Sequence, residues 1–350
     1  KMDLTIILDY IIISIIASMT VNSILRNYAK RYNILVDLPD RSRKFHKRPT
    51  PLTGGLGILI ALLVSGKLYI DLNNLTGYVP EFTFQLMVTS IPLLILFLID
   101  DFKGINPFFR ILIQISLSIY LILTTGIYLE SLGDLFGFGD IFLGLWGIPF
   151  TVFCIVGMVN AFNMIDGLNG LCASLCLVCF IAIIYMINAD TVPSLFPLIL
   201  PVGAITGFLM YNLGVLGNQR TVFLGDNGSN ALGFICAWIL VYFSSVENSN
   251  FAPVTALWFV AIPFFDAVGV MVSRAIKGIM PLRPGRDHLH HRLLDLGLTS
   301  DAIFVVLIFK VERNGERAAN APSFRTIAVE QHRCGGEALQ NDNREDECGA

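Results

Sequence analysis

Apolar runs long enough to cross a bilayer recur along nearly the whole chain, divided by short polar stretches. They fall at roughly 4–25, 52–70, 82–99, 107–129, 143–162, 168–188, 194–213, 229–246 and 252–273, each near the twenty or so residues a membrane helix needs. The pattern predicts an all-α, polytopic membrane bundle of about nine or ten helices. Residues 4–25 lack an A-x-A-like end, so they read as the first span and not as a cleaved leader. "DAIFVVLIF" (301–309) is too short to cross. From Lys310 the chain turns polar and mixed in charge, so 310–350 is expected to be a disordered, cytoplasmic tail after a membrane domain at 1–309.

Composition sharpens the class. Of 350 residues, 54% are hydrophobic and 15% charged, with a mean hydropathy of +0.67, against about 25% charged in soluble domains. That excludes an ordinary soluble domain, and a net charge of −3 gives no reason to expect a nucleic-acid partner. The cations are unevenly placed. Arg26 to Arg48, Lys103 and Arg110, Arg220, and Arg274 to Arg292 occupy alternate loops, whereas the loops near 71–81, 130–142, 189–193 and 247–251 carry acids and no Lys or Arg. By the positive-inside rule the basic loops face the cytoplasm and the amino terminus lies outside. Cys154, Cys172, Cys176, Cys179, Cys236, Cys334 and Cys348 form no pair of CxxC motifs, and most fall in predicted spans as small apolar fillers.

Five polar clusters lie at the cytoplasmic ends of these spans, and each has a chemical and a plain reading. In "LIDDFKGI" (98–105), Asp100 and Asp101 diverge by about 100° on a helix, so one can meet a metal while the other acts as base or binds a ligand. Capping a helix end is the alternative. In "NAFNMIDGLNGL" (160–171), Asn160, Asn163 and Asp166 are spaced by three and share a drifting helix face, suited to a hard cation or a polar ligand. Such a stripe can also glue helices together in lipid. In "FLGDNGSNALGF" (223–234), Asp226 offers an oxygen ligand where glycines open a helix, or the stretch is an N-cap turn. "RPGRDHLHHRLLDLG" (283–297) sets His288, His290 and His291 between Arg286 and Arg292, a weak zinc signal that fits a phosphate-reading loop or a lipid-headgroup contact. Lys44 and His46, in the basic stretch 41–48 ahead of "TGG", can hold a phosphorylated substrate or act as a topology signal. Carboxylates for Mg²⁺ beside cations for phosphates are the parts of a phosphoryl-transfer site.

Taken in order, "DLPDRSRKFH", "IDDFKG", "NAFNMIDGLNGL", "FLGDNGS" and "DHLHHRLLDLGLTS" resemble the polyprenyl-phosphate N-acetylhexosamine-1-phosphate transferase family over roughly 1–305. "APVTALWFVAIPFFDAV" (252–268) favours its undecaprenyl-phosphate N-acetylglucosamine branch. The resemblance implies transfer of GlcNAc-1-phosphate from UDP-GlcNAc to undecaprenyl phosphate with release of UMP. It places the enzyme in a bacterial inner membrane with Mg²⁺ or Mn²⁺ as cofactor, and a homodimer is left open. It makes Asp100, Asp101 and Asp166 catalytic and assigns the metal to Asp226 with Asp101. Lys44, His46, Asn160, Asn163, Asn169, Arg286, His288, His290 and His291 become substrate-binding.

Three departures stand out: Gly104 where the branch carries a third aspartate, Asn169 where it carries a carboxylate, and the polar tail in place of further spans. Another UDP-N-acetylhexosamine or UDP-MurNAc-pentapeptide would be an alternative donor. A transporter, the rival of another class, would carry charges at mid-span and an inverted repeat, and the sequence shows neither.

Overall fold

A computed structural model describes residues 4–38, 48–72, 81–134, 139–187, 192–245, 251–280, 285, 287–300 and 302–308. Lys44, His46, Arg286 and the tail 310–350 lie outside the described residues. The chain builds α1 (Leu4–Tyr32), a two-residue antiparallel pair β1 (Val36–Asp37) and β2 (Thr50–Pro51), α2 (Gly54–Leu72), α3 (Glu81–Lys103) and α4 (Pro107–Thr125). There follow α5 (Gly147–Ile165), α6 (Leu171–Met186), α7 (Val192–Asn212), α8 (Gly225–Ser244), α9 (Pro253–Phe259), α10 (Ala261–Ile276) and the short α11 (Leu289–Asp295). The all-α membrane class stands.

Helix α8 is the axle. Every residue from Asn227 to Val241 is buried, enclosed by α2, α3, α5, α6 and α9. On the outside, large apolar side chains such as Ile16, Leu123, Phe153 and Ile276 are exposed, as expected where the solvent is hydrocarbon. The α1–α7 contact relies on small residues: Gly203 and Gly207 bring α7 against Ser14 and Ser18 of α1, leaving no room for a Cβ. Those serines donate to Leu200 O at 2.8 Å and Ala204 O at 2.6 Å. Close backbone approach plus interhelical hydrogen bonds is how helices associate in lipid, where burial alone gives little drive.

The span count is corrected in part. Among the described residues six helices, α1 to α5 and α7, are long and apolar enough to cross, and α9 with α10 makes a seventh only as a pair bent by 87°. The run at 252–273 is therefore not one straight helix. Pro263 has no N–H to give, and its ring conflicts with the carbonyl of Phe259, four residues back; the helix breaks there, at Val260. Helix α6, at 16 residues, is shorter than the run that predicts it, and α8 opens on the polar turn Gly225–Asn230 before its apolar body. Residues 302–308 are helical but short, and bury Ile303 and Leu307 in the core. The cysteines of α6 and α8 are buried as expected, with Cys179 and Cys236 sulfurs 3.6 Å apart.

Candidate active site

The C-terminal ends of α3 and α5 and the N-terminal ends of α4 and α8 meet at one end of the bundle. The fit is close because the glycines of "TGG" allow it: Gly54 and Gly55 N–H donate to Phe223 O and Leu224 O at 3.0 and 3.1 Å. A Cβ on Gly55 would run into the backbone of Gly228. So α2 presses on the first turn of α8 and fixes where Asp226 and Asn227 stand.

The aspartate pair does diverge. Asp100 is buried and ion-paired with Arg110 of α4, 2.7 Å away, and it accepts the N–H of Ile105. Asp101 turns the other way and accepts from Asn227 Nδ2 at 2.7 Å, while the same amide nitrogen reaches Leu52 O at 3.2 Å. Asp226 is exposed and lies within electrostatic reach of Asp100, Asp101 and Asp166. Asp166 ends α5 as its C-cap. Burial, together with the Asp226 charge, pushes its carboxyl up to about 8, so in the bare protein it is largely protonated at neutral pH.

The asparagines separate. Asn163 accepts from Ser229 Oγ at 2.9 Å, which ties α5 to α8 below Asp166. Asn160 donates to Gln114 Oε1 at 3.0 Å and to Val156 O at 2.7 Å. It therefore joins α5 to α4 one turn below the rim, the helix-glue alternative. Asn169 is exposed in the turn between α5 and α6.

The histidine loop closes the site. His290 is buried, and neither ring nitrogen has a hydrogen-bond partner among the described residues. It packs directly on Gly167, where any Cβ would collide with Nε2; this is what the glycine after Asp166 is for. Burial, then the neighbouring His291, push His290 down to about 4, so it is neutral at neutral pH. His288 and His290 rings are parallel, 8° apart with centroids at 6.0 Å, and His291 lies 4.2 Å from His290. Two side chains of α10 hold this loop: Arg274 Nε donates to Asp287 at 3.0 Å, and Asp266 engages His288. Sequence reasoning missed Asp266, the pairing role of Arg110 and the bridge made by Asn227. Only Asp266 carried a visible signal, an acid isolated in an apolar run.

Among the described residues, no three His, Cys, Asp or Glu side chains gather closely enough to hold a metal as they stand. The donor set nevertheless suits Mg²⁺, which keeps several waters and takes one or two carboxylates with phosphate oxygens. Asp226 is open, Asp101 is adjacent through Asn227, and Asn227 Oδ1 is buried with no hydrogen-bond partner among the described residues.

Fold and site thus define a polytopic helical membrane protein with a polar, acid-rich site at one end of its bundle. Comparison with known proteins carries this further: the sequence pattern of glycosyl transferase family 4 matches residues 83–244. The chain is 35% identical over 286 residues to the undecaprenyl-phosphate α-N-acetylglucosaminyl 1-phosphate transferase of Escherichia coli O157:H7, covering 81% of this chain and 75% of that one. It is 32% identical to the protein of the same name from Yersinia pestis (84% and 80% covered) and 38% identical to that of Haemophilus influenzae (79% and 76%). The chain belongs to glycosyl transferase family 4.

Proposed function

We propose that this protein transfers N-acetylglucosamine 1-phosphate from UDP-N-acetylglucosamine to undecaprenyl phosphate, giving undecaprenyl-pyrophosphoryl-N-acetylglucosamine and UMP, the opening step of a surface glycan. The observation that carries this reading is the meeting of Asp100, Asp101, Asp166 and Asp226 with the histidine loop at one end of an apolar bundle. Relatives at 32–38% identity bear the name of that activity. The working end faces the cytoplasm of a bacterial inner membrane, a placement supported by the Lys and Arg on the loops of that end. Residues 1–309 form the membrane transferase domain.

An oxygen of the lipid phosphate attacks the β-phosphorus of the sugar nucleotide. The bond from that phosphorus to the bridging oxygen breaks, and the electron pair leaves with UMP. Asp226, with Asp101, would hold Mg²⁺ or Mn²⁺, and the chemistry that ion would supply is positive charge to offset the negative charge growing on the leaving phosphate. Asn227 holds Asp101 in place. Asp100 is already committed to Arg110, so its part is to aim that guanidinium, a quarter exposed, at the lipid phosphate. Asp166, Asn169 and the histidines contact the sugar nucleotide, with His290 bringing two unused nitrogens.

Membranes bearing the protein, given labelled UDP-GlcNAc with and without undecaprenyl phosphate and Mg²⁺, should yield a chloroform-soluble labelled lipid only with all components. No labelled lipid would refute the proposal. Release of UMP without the acceptor would instead point to an aspartyl-phosphate intermediate.

A further inference from the structure

Helix α10 carries a carboxylate that the proposed chemistry leaves unused. Asp266 Oδ2 lies 2.9 Å from Nδ1 of His288, and Oδ1 accepts the Leu289 N–H at 2.7 Å. Both side chains are buried, at 5% and 8% exposure. An ionised carboxylate only accepts hydrogen bonds, so the proton of this contact belongs to Nδ1, and Nε2 is the nitrogen left for a ligand. The His288 ring lies parallel to His290, which packs on Gly167 next to Asp166. One file of contacts therefore runs from the interior of α10 to the acidic rim.

A neutral side chain would be enough to hold the Leu289 N–H. A buried carboxylate opposite an imidazole does more: it fixes the tautomer and the ring's orientation, as carboxylate partners do for catalytic and metal-binding histidines. Arg274 pairs with the Asp287 side chain one residue earlier, where Lys277 and Arg292 also add positive charge, and the carboxylate on the His288 imidazole is that of Asp266.

We propose that Asp266 is a positioning residue. It holds His288 protonated on Nδ1 so that Nε2 is offered to the diphosphate of the sugar nucleotide, an assignment that rests on the transferase reading above. The test uses the full chain in lipid nanodiscs with ¹⁵N-labelled histidine. The chain has five histidines, and His288→Gln identifies the His288 signals. Wild-type His288 should show a protonated Nδ1; a ring protonated only on Nε2 would overturn the proposal without any variant. Asp266→Asn keeps an acceptor for Leu289 but presents an amide donor to Nδ1, so the proton should move to Nε2. Its kcat should fall roughly 100-fold at an unchanged melting temperature, and Asp266→Glu should recover the Nδ1 proton and part of the rate. Unmoved His288 signals in Asp266→Asn, or a wild-type kcat, would overturn it. A wild-type protein that makes no lipid product would defeat the transferase reading instead, and the nitrogen spectra would still decide the place of Asp266.

Discussion

Gly167 shows how much of this site rests on single atoms. The DG step after Asp166 reads in sequence as a turn; in three dimensions its missing Cβ is the space that His290 fills. Gly167→Ala should displace the histidine loop and lower kcat/KM by about 10–100-fold with only a small change in melting temperature. A normal rate would show that the loop does not need that contact. Asp226→Asn should cost about 100-fold or more in kcat, and retention of activity would remove it from the metal site.

A lowered histidine and a raised carboxyl give two pH tests, in adjoining windows. His290 titrates near 4 in the fold against about 6.5 unfolded. Its depressed value contributes stability that is fully present above about 6.5 and lost as pH falls toward 4. Melting temperature should therefore drop between pH 6.5 and 4, less steeply in His290→Gln; equal slopes would contradict the buried neutral ring. Asp166 is raised to about 8, and a cation held nearby at Asp226 favours its ionised form, so Mn²⁺ affinity should climb from pH 6.5 to 8. A flat titration would exclude Asp166 from the metal's surroundings.

At the level of helices, the apolar runs showed where most elements lie, because membrane spans must be long and uniformly greasy. They did not show the break at Val260, since hydropathy is blind to a lost backbone donor; Pro263 was the legible clue. Side-chain direction was half legible. Spacing by three placed Asn160, Asn163 and Asp166 on one face, but the drift of that face sends Asn160 to Gln114 and Asn163 to Ser229. Partners on other helices cannot be read from periodicity, which is why Arg110 and Asn227 were missed. The packing of α1 on α7 gives its own test: Gly203→Leu would force a side chain into Ser14 and should cost about 1–3 kcal/mol, seen as a lower melting temperature in detergent. Unaltered melting would mean that the two helices can part without loss.

For the whole molecule, the ordered set of polar clusters foretold that distant loops share one end, because in a bundle of antiparallel spans alternate connections must do so. Lys44, His46 and Arg286 fall outside the described residues, so their placement among the cationic groups of the site rests on sequence.

The burial of α8 has a practical consequence. The helix that presents Asp226 and Asn227 is also the one around which the rest is packed, so catalytic geometry has no soft mounting of its own. Heating should then abolish turnover and compactness together: inactivation and unfolding curves should superimpose, where an enzyme with a peripheral site would go silent first. For anyone engineering donor choice, new specificity belongs in the α5–α6 turn and the histidine loop, and the axle is best left alone.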